Sequence, residues 1–228
     1  TLTLDVAAAR CVVTKTTAAV LAVDMFGTPS KTASVRALAD ECGLLYLADA
    51  AQALGATTGS THASSAADAV VLSFTTGKAL DLGEGGAILT NRRDIYERVV
   101  WHTQHPYRQR RDLGLHLVNP FAINMRMHPA TAHLARRELS GLQKLIAVHI
   151  ETVDRARRLI EASGLGLCLP IGEPSMQSSY FRLPVRLRDG PKNELVNVFG
   201  ISCGSRRGRR PEVMVATTCR WSNVCSKY

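Results

Sequence analysis

Three apolar runs constrain this chain more than anything else in it. Val20 to Val23, closed by Asp24, is the first; Leu44 to Ala48, closed by Asp49, is the second; Val70 to Phe74 is the third. None alternates apolar with polar residues, so none reads as a strand with one wet face. Uninterrupted runs of this length belong to strands covered on both faces, as in a mostly parallel sheet. Ala87 to Thr90 is a fourth, shorter run. Between the first two runs, Val35, Leu38, Ala39 and Cys42 recur at helical spacing after a candidate cap at Ser30, and Gly43 ends the pattern. Arg92 to Trp101 reads as another helix. Strands alternating with helices predict an α/β fold.

Further along, Pro129 to Ala162 carries apolar residues at helical spacing with few breakers. This predicts one long helix, or two that bend near Gly141, leading out of the first domain. Ser179 to Leu187 is strand-like. After Ile201 the apolar period collapses into an Arg-, Cys- and Ser-rich stretch.

Charge sharpens that division. The chain of 228 residues carries a formal +9, yet residues 1–100 hold 8 Lys/Arg against 10 Asp/Glu. Residues 202–228 alone hold 6 against 1. The tail therefore supplies +5 of the +9 and leaves the rest at only +4, and the tail's one tryptophan, Trp221, gives no stacking array for nucleic acid. Nucleic-acid binding is not expected. No apolar run approaches 18 residues, so no membrane helix is expected. The six cysteines form no C-x-x-C pair, and no metal site is expected. Without a leader-like N-terminus, the expected compartment is the cytoplasm, with reduced thiols.

Chemistry gathers at the ends of the strand runs. Asp49 closes a buried strand in Leu-Ala-Asp-Ala-Ala-Gln, where α/β sheets place ligands. Taken alone it is equally a strand-end cap, and a lone loop lysine is usually only a solvated charge. Here Lys78 follows the strand ending at Ser73 and precedes the turn Gly83-Glu84-Gly85-Gly86. If the two strands are neighbours, lysine and acid meet. That pair suits an aldehyde cofactor: lysine forms a Schiff base, and a carboxylate keeps a pyridine nitrogen protonated.

Asp49-Ala50-Ala51-Gln52, Ser73-Phe74-x-x-x-Lys78, Gly83-Glu84-Gly85-Gly86 and Asn124-x-Arg126-Met127, in that order, resemble the DegT-type sugar aminotransferases of the fold-type I pyridoxal 5'-phosphate enzymes. The resemblance runs from about Thr1 to Leu145 and more thinly to about Ile201. It implies a partial fold-type I large domain over 1–130, with a mostly parallel sheet and helices on both faces. A linking helix and the start of a small α+β domain would follow over 131–200, then an atypical basic tail over 201–228. It implies that Lys78 binds the cofactor and shuttles the proton, and that Asp49 pairs with the pyridinium. Gln52 would lie on the phenolic oxygen side, Ser73 would donate to the phosphate, and Asn124 would reach the phosphate across a homodimer interface. The implied substrates are an amino donor, usually glutamate, and a nucleotide-linked keto-sugar, for amino-sugar, polysaccharide or antibiotic assembly.

Two departures accompany the match. The family has about a hundred residues ahead of this region, with a phosphate-cradling turn and a ring-stacking aromatic, and nothing in Thr1 to Val20 supplies either. The tail after Ile201 does not continue the family's small domain. Both features predict a chain shortened at its start and foreign at its end. The alternative reading is a non-catalytic relative, or an inactive fragment, that binds or regulates. Arg108, Arg110 and Arg111 are read as a loop that is either solvated or facing a diphosphate. His102, His105, His116 and His128 are read as surface or packing histidines, with His128 singled out beside the Asn-x-Arg-Met motif.

Overall fold

Helix α1 (Val6–Val12), capped by the Asp5 carboxylate, leads to strand β1 (Ala19–Val23), helix α2 (Thr32–Cys42) and strand β2 (Leu45–Asp49) in the computed structural model. Short strands β3 (Thr57–Thr58) and β4 (Thr61–His62) precede β5 (Ala69–Ser73) and β6 (Gly86–Leu89). Four helices follow: α3 (Arg93–Thr103), α4 (Pro106–Leu113), α5 (Pro129–Leu139) and α6 (Leu142–Ser163). Strands β7 (Leu167–Cys168), β8 (Met176–Gln177), β9 (Pro184–Leu187) and β10 (Met214–Ala216) complete the elements. The structure describes residues 2–164, 167–168, 175–187 and 214–216.

The four apolar runs become one sheet in the order β1-β2-β5-β6. The first three strands are parallel, and β6 returns antiparallel to β5. In this register Val23 pairs with Asp49 and Asp49 with Val71, so β1 and β2 end level and β5 runs on two residues to Ser73 at the same edge of the sheet. The β5–β6 pair is so close at Gly86 that a Cβ there would lie 2.8 Å from the Leu72 carbonyl oxygen.

Side chains alternate across the sheet. Val20, Ala22, Tyr46, Ala48, Val70 and Leu72 are buried on one face against Val35 and Ala39 of α2 and Ala135 of α5. Val35 and Leu38 are fully buried, each worth about 1.5–3 kcal/mol of apolar transfer. On the opposite face Leu21 is 57% exposed, Val71 42% and Ile88 46%. Asp49 and Ser73 share that second face by the period of two.

Polar groups organise the loops above the sheet. Asp24, 2% exposed, accepts from the Ser30 N–H at 2.8 Å and the Ser64 hydroxyl at 2.6 Å. Thr32 donates to the Ala63 carbonyl at 2.8 Å. Asp68 accepts from the Tyr46 N–H at 2.7 Å and pairs with Arg36 at 3.0 Å. These contacts fix the β1–α2 loop and the segment entering β5.

The helices follow the sequence pattern with instructive differences. The 129–162 pattern is two helices that break at Ser140-Gly141. Arg108, Arg110 and Arg111 lie on a helix rather than in a loop. The His105 Nδ1 caps α4 by accepting from Tyr107 N–H, Pro106 opens it, and Gly114 closes it. Arg108 and Arg111 both pair with Asp112. His128 caps α5 in the same way through Ala130 N–H. Only Pro184–Leu187 of the strand-like 179–187 stretch is a strand, because Tyr180 adopts a positive φ of 50°. The expected change after Ile201 lies outside the described residues, apart from β10, which pairs antiparallel with β9.

Burial lowers the pKa of His62, with Asp24 working the other way, and also lowers that of His149. The unfolded chain takes up protons first, near pH 6.5. Stability is therefore expected to be flat above about pH 6.5 and to fall as pH drops through the folded-state values. Urea denaturation from pH 8 to pH 5, followed by circular dichroism, checks this. His62→Asn, which keeps an acceptor for the Ser64 N–H, is expected to make the acid limb shallower.

Candidate active site

The site grows from the sheet edge where the parallel strands β1, β2 and β5 end. Beyond the strands, Asp24 N–H donates to the Asp49 carbonyl at 3.0 Å, and Ala50 N–H donates to the Val71 carbonyl at 2.9 Å. These bonds extend the ladder one residue past the sheet and immobilise Asp49. Its Oδ1 accepts from Ala51 N–H at 3.0 Å, an Asx turn that fixes the carboxylate. Among the described residues no hydrogen bond falls on Oδ2.

Lys78 sits on the loop joining β5 to β6. Phe74 and Leu80, both buried, pin the loop to the core. Backbone bonds from Phe74 N–H to the Gly85 carbonyl and from Leu82 N–H to the Phe74 carbonyl close it. Asp81 binds across it, accepting from Gly77 N–H at 2.8 Å and Gly83 N–H at 3.1 Å. The Lys78 N–H itself donates to the Thr75 carbonyl at 3.1 Å. The lysine is thereby presented half-buried. Burial lowers its pKa below the ordinary lysine range; the Asp49 charge works against that shift and Arg182 works with it. Asp49 and Lys78, expected to meet if their strands were neighbours, do so electrostatically.

The other expected residues divide. Gln52 Oε1 accepts from the Phe26 N–H at 2.9 Å, which leaves its amide NH₂ as the donor end. That bond holds Phe26 in a left-handed turn at φ 59°. Ser73 shares its hydroxyl with Thr75 Oγ1 at 3.1 Å at the end of β5. Asn124 is exposed, and its Oδ1 accepts from Arg126 Nε at 2.9 Å. It lines a groove of about 1010 Å³ between the β5–β6 edge, α3 and the start of α5, whose lining includes neither Lys78 nor Asp49.

The sequence reading missed Phe181 and Arg182. The Lys78 ammonium lies 4.7 Å from the Phe181 ring centroid, and the Arg182 guanidinium lies 5.0 Å from the same centroid. A stretch of irregular backbone brings them there. Ser179 N–H donates to the Gly27 carbonyl at 3.0 Å, and Ser178 Oγ donates to Thr28 Oγ1 at 3.3 Å. His149 Nδ1 lies 3.2 Å from the Ser179 carbonyl oxygen. A Cβ at Gly27, which has φ +86°, would lie 2.7 Å from both Ser179 Oγ and Tyr180 N. Glycine at 27 is therefore what lets the segment close over the lysine. The paired Gly27 and Ser179 positions were the signal available in sequence, but nothing local connects them.

Residues 1–200 match the DegT/DnrJ/EryC1/StrS aminotransferase family. The chain belongs to that family. It is 39% identical over 98 residues to the erythromycin biosynthesis sensory transduction protein EryC1 of Saccharopolyspora erythraea, covering 42% of this chain and 27% of that protein. It is 36% identical over 99 residues to the L-glutamine:2-deoxy-scyllo-inosose aminotransferase of Streptoalloteichus tenebrarius, covering 43% of this chain and 23% of that protein. Each aligned stretch thus spans about a quarter of the relative's length. Among solved structures, the E. coli GDP-4-keto-6-deoxy-D-mannose-3-dehydratase with bound hydrated PLP superposes with a TM-score of 0.76 at 20% identity, covering 93% of this chain and 58% of that one. The fold is that of the pyridoxal phosphate aminotransferases, and pyridoxal phosphate is the family's cofactor. The residues of this DegT-family chain fit that group: a half-buried amine of lowered pKa lies within the electrostatic reach of a fixed carboxylate with one oxygen open, both at a sheet's carboxyl edge.

Two outcomes are expected. Asp49→Asn removes the charge that raises the Lys78 pKa, so the pKa falls further and the lysine labels faster at pH 8 with an amine-reactive anhydride, read by peptide mass spectrometry. Gly27→Ala is expected to cost about 1–3 kcal/mol by urea denaturation, since it forces a side chain into left-handed backbone. It should also expose Lys78 to the same label by displacing Phe181.

Proposed function

We propose that this chain is the lysine-bearing part of a pyridoxal phosphate-dependent transaminase of the DegT type. The amino group would come from glutamate and go to the ketone of a nucleotide-linked sugar. The observation that carries this reading is that Lys78, on the loop leaving β5, feels the charge of Asp49 at the carboxyl end of the neighbouring parallel strand β2.

When bound, pyridoxal phosphate supplies an aldehyde for amine attachment and a protonated pyridine ring that withdraws electrons from the attached carbon. The residues of the chain do the rest. Lys78, its pKa lowered by burial, offers a free amine at lower pH than an exposed lysine would. Once released, the same amine accepts a proton from one carbon and returns it to another. Asp49, fixed by the Asx turn, would offer its open oxygen to a cationic N–H and keep that proton in place. The Gln52 NH₂, oriented by the Phe26 bond, donates toward an oxygen on the ring's phenolic side. Ser73, with Thr75 behind it, offers a hydroxyl to the phosphate. Phe181 covers one side of the amine and limits its access to water.

Asn124 belongs to this proposal in a different way. It stands exposed beside Arg126, where a second copy of the chain in a homodimer would receive it. The division into 1–130, 131–200 and 201–228 is likewise proposed, with segment 178–183 packed back on the first region. A cytoplasmic location completes the reading. Among the described residues, no helix is long and apolar enough to cross a membrane.

Adding pyridoxal phosphate is expected to produce a visible absorbance band, and borohydride reduction is expected to fix the cofactor on Lys78, located by peptide mass spectrometry. Lys78→Ala should lose both and slow 2-oxoglutarate release from glutamate by about 10²–10⁴-fold. A wild-type chain with no band and no adduct would instead support the non-catalytic reading. Release of product from glutamine but not glutamate would correct the donor.

A further inference from the structure

We propose that Arg182 is the oxyanion receptor of the Lys78 site, taking the carboxylate of an amino-acid donor or a phosphoryl group of a nucleotide-linked sugar. The idea rests on Lys78 being the reactive amine, and it adds what brings a substrate to that amine.

The first support is charge. Arg182 and Lys78 are two cations on one aromatic ring, 5.0 Å and 4.7 Å from the Phe181 centroid. Each is half-buried. Arg182 acts on Lys78 as a like charge, while Asp49 is the carboxylate whose charge acts on the lysine. Among the described residues, no acid pairs with Arg182. The other half-buried arginines treated above are different: Arg36 pairs with Asp40 and Asp68, and Arg108 pairs with Asp112. Two partly desolvated cations, of which only Lys78 feels a carboxylate, leave a positive surplus that an anion neutralises.

The second support is construction. The residues just before Arg182 are fixed by the Ser179–Gly27 and Ser178–Thr28 bonds, by the His149 contact, and by the space that Gly27 leaves. The guanidinium is therefore placed by the fold. The guanidinium lies over the Phe181 ring, 5.0 Å from its centroid, and a cation held by a ring's π face still has N–H groups to donate. Those groups form a two-pronged donor matched to the paired oxygens of a carboxylate or phosphoryl group. An anion seated there brings the atoms attached to it toward Lys78 from the Phe181 side. Carboxylate and phosphoryl are the two oxyanions that a transaminase of this kind meets.

Isothermal titration calorimetry of the whole chain with glutarate, and separately with inorganic pyrophosphate, tests the assignment. The wild-type chain is expected to bind at least one. Arg182→Gln should weaken that binding about tenfold or more, the scale of a lost charge-assisted hydrogen bond. Arg182→Lys should recover part of it, since it restores the charge without the fork. Circular dichroism establishes that each variant is folded. Loss confined to glutarate assigns the donor's carboxylate; loss confined to pyrophosphate assigns the sugar nucleotide's phosphoryl group. If the wild type binds neither anion, or both variants bind as the wild type does, the proposal is wrong. Borohydride trapping of pyridoxal phosphate on Lys78, run in parallel, separates the two ideas. Trapping that persists while anion binding ignores Arg182 overturns this inference alone. An Arg182-dependent anion with no trapping at Lys78 overturns the lysine reading and keeps the receptor.

Discussion

Everything in this molecule hangs on the hydrogen-bonded carboxyl edge of three parallel strands. The register that pairs Val23 with Asp49 and Asp49 with Val71 brings β1 and β2 to an end together against β5, and two further backbone bonds carry the ladder past them. A strand end is ordinarily a place where backbone order fades. Here the continued ladder gives Asp49 a backbone as fixed as any core residue, with its side chain on the sheet's second face. The catalytic proposal needs this rigidity: a carboxylate that stabilises a cation must already be in place. The buried Asp24 does the equivalent for the loop after β1, gathering Ser30 and Ser64, and Gly27 in that loop packs against a distant segment.

That edge also explains the split between what could and could not be read in the sequence. The three apolar runs, Asp49 at the end of one and Lys78 beyond another are local patterns with a physical cause, and the structure assembles them as the runs imply. The break at Gly141 was legible for the same reason. Phe181 and Arg182 were not. They reach Lys78 through contacts such as Ser178 to Thr28, which are 150 positions apart. Their backbone leaves the strand conformation that the run Tyr180 to Val185 suggests, because Tyr180 must turn through positive φ to fit against Gly27. A periodic pattern carries no trace of such a turn. Helix α4 was missed for a different reason: its arginines look like a solvated loop until His105, Pro106 and Gly114 are recognised as its cap, first turn and stop.

The electrostatics of the site follow from packing and pull in two directions. Burial favours the neutral amine of Lys78, Asp49 favours the ammonium, and Arg182 opposes it. A lysine that must act first as a nucleophile and then as a proton carrier benefits from that opposition, because neither protonation state is then far out of reach. Phe181 couples the two halves. Its ring face attracts both cations and lets them share a surface without an acid between them.

The sheet's second face bears on the same logic. Asp49 and Ser73 lie on the side where Leu21, Val71 and Ile88 are exposed, opposite the face that α2 and α5 cover. An uninterrupted apolar strand is needed only where both faces are to be kept from water. The site residues therefore stand at the rim of a surface whose composition suits burial. A carboxylate on that rim interacts more strongly with a cation when the adjoining apolar surface is covered than when it is wet, because the local dielectric falls. The strength of the Asp49–Lys78 interaction is thus tied to whatever shields Leu21 and Val71, and the apolar second face is as much a part of the site's chemistry as the two charged groups above it.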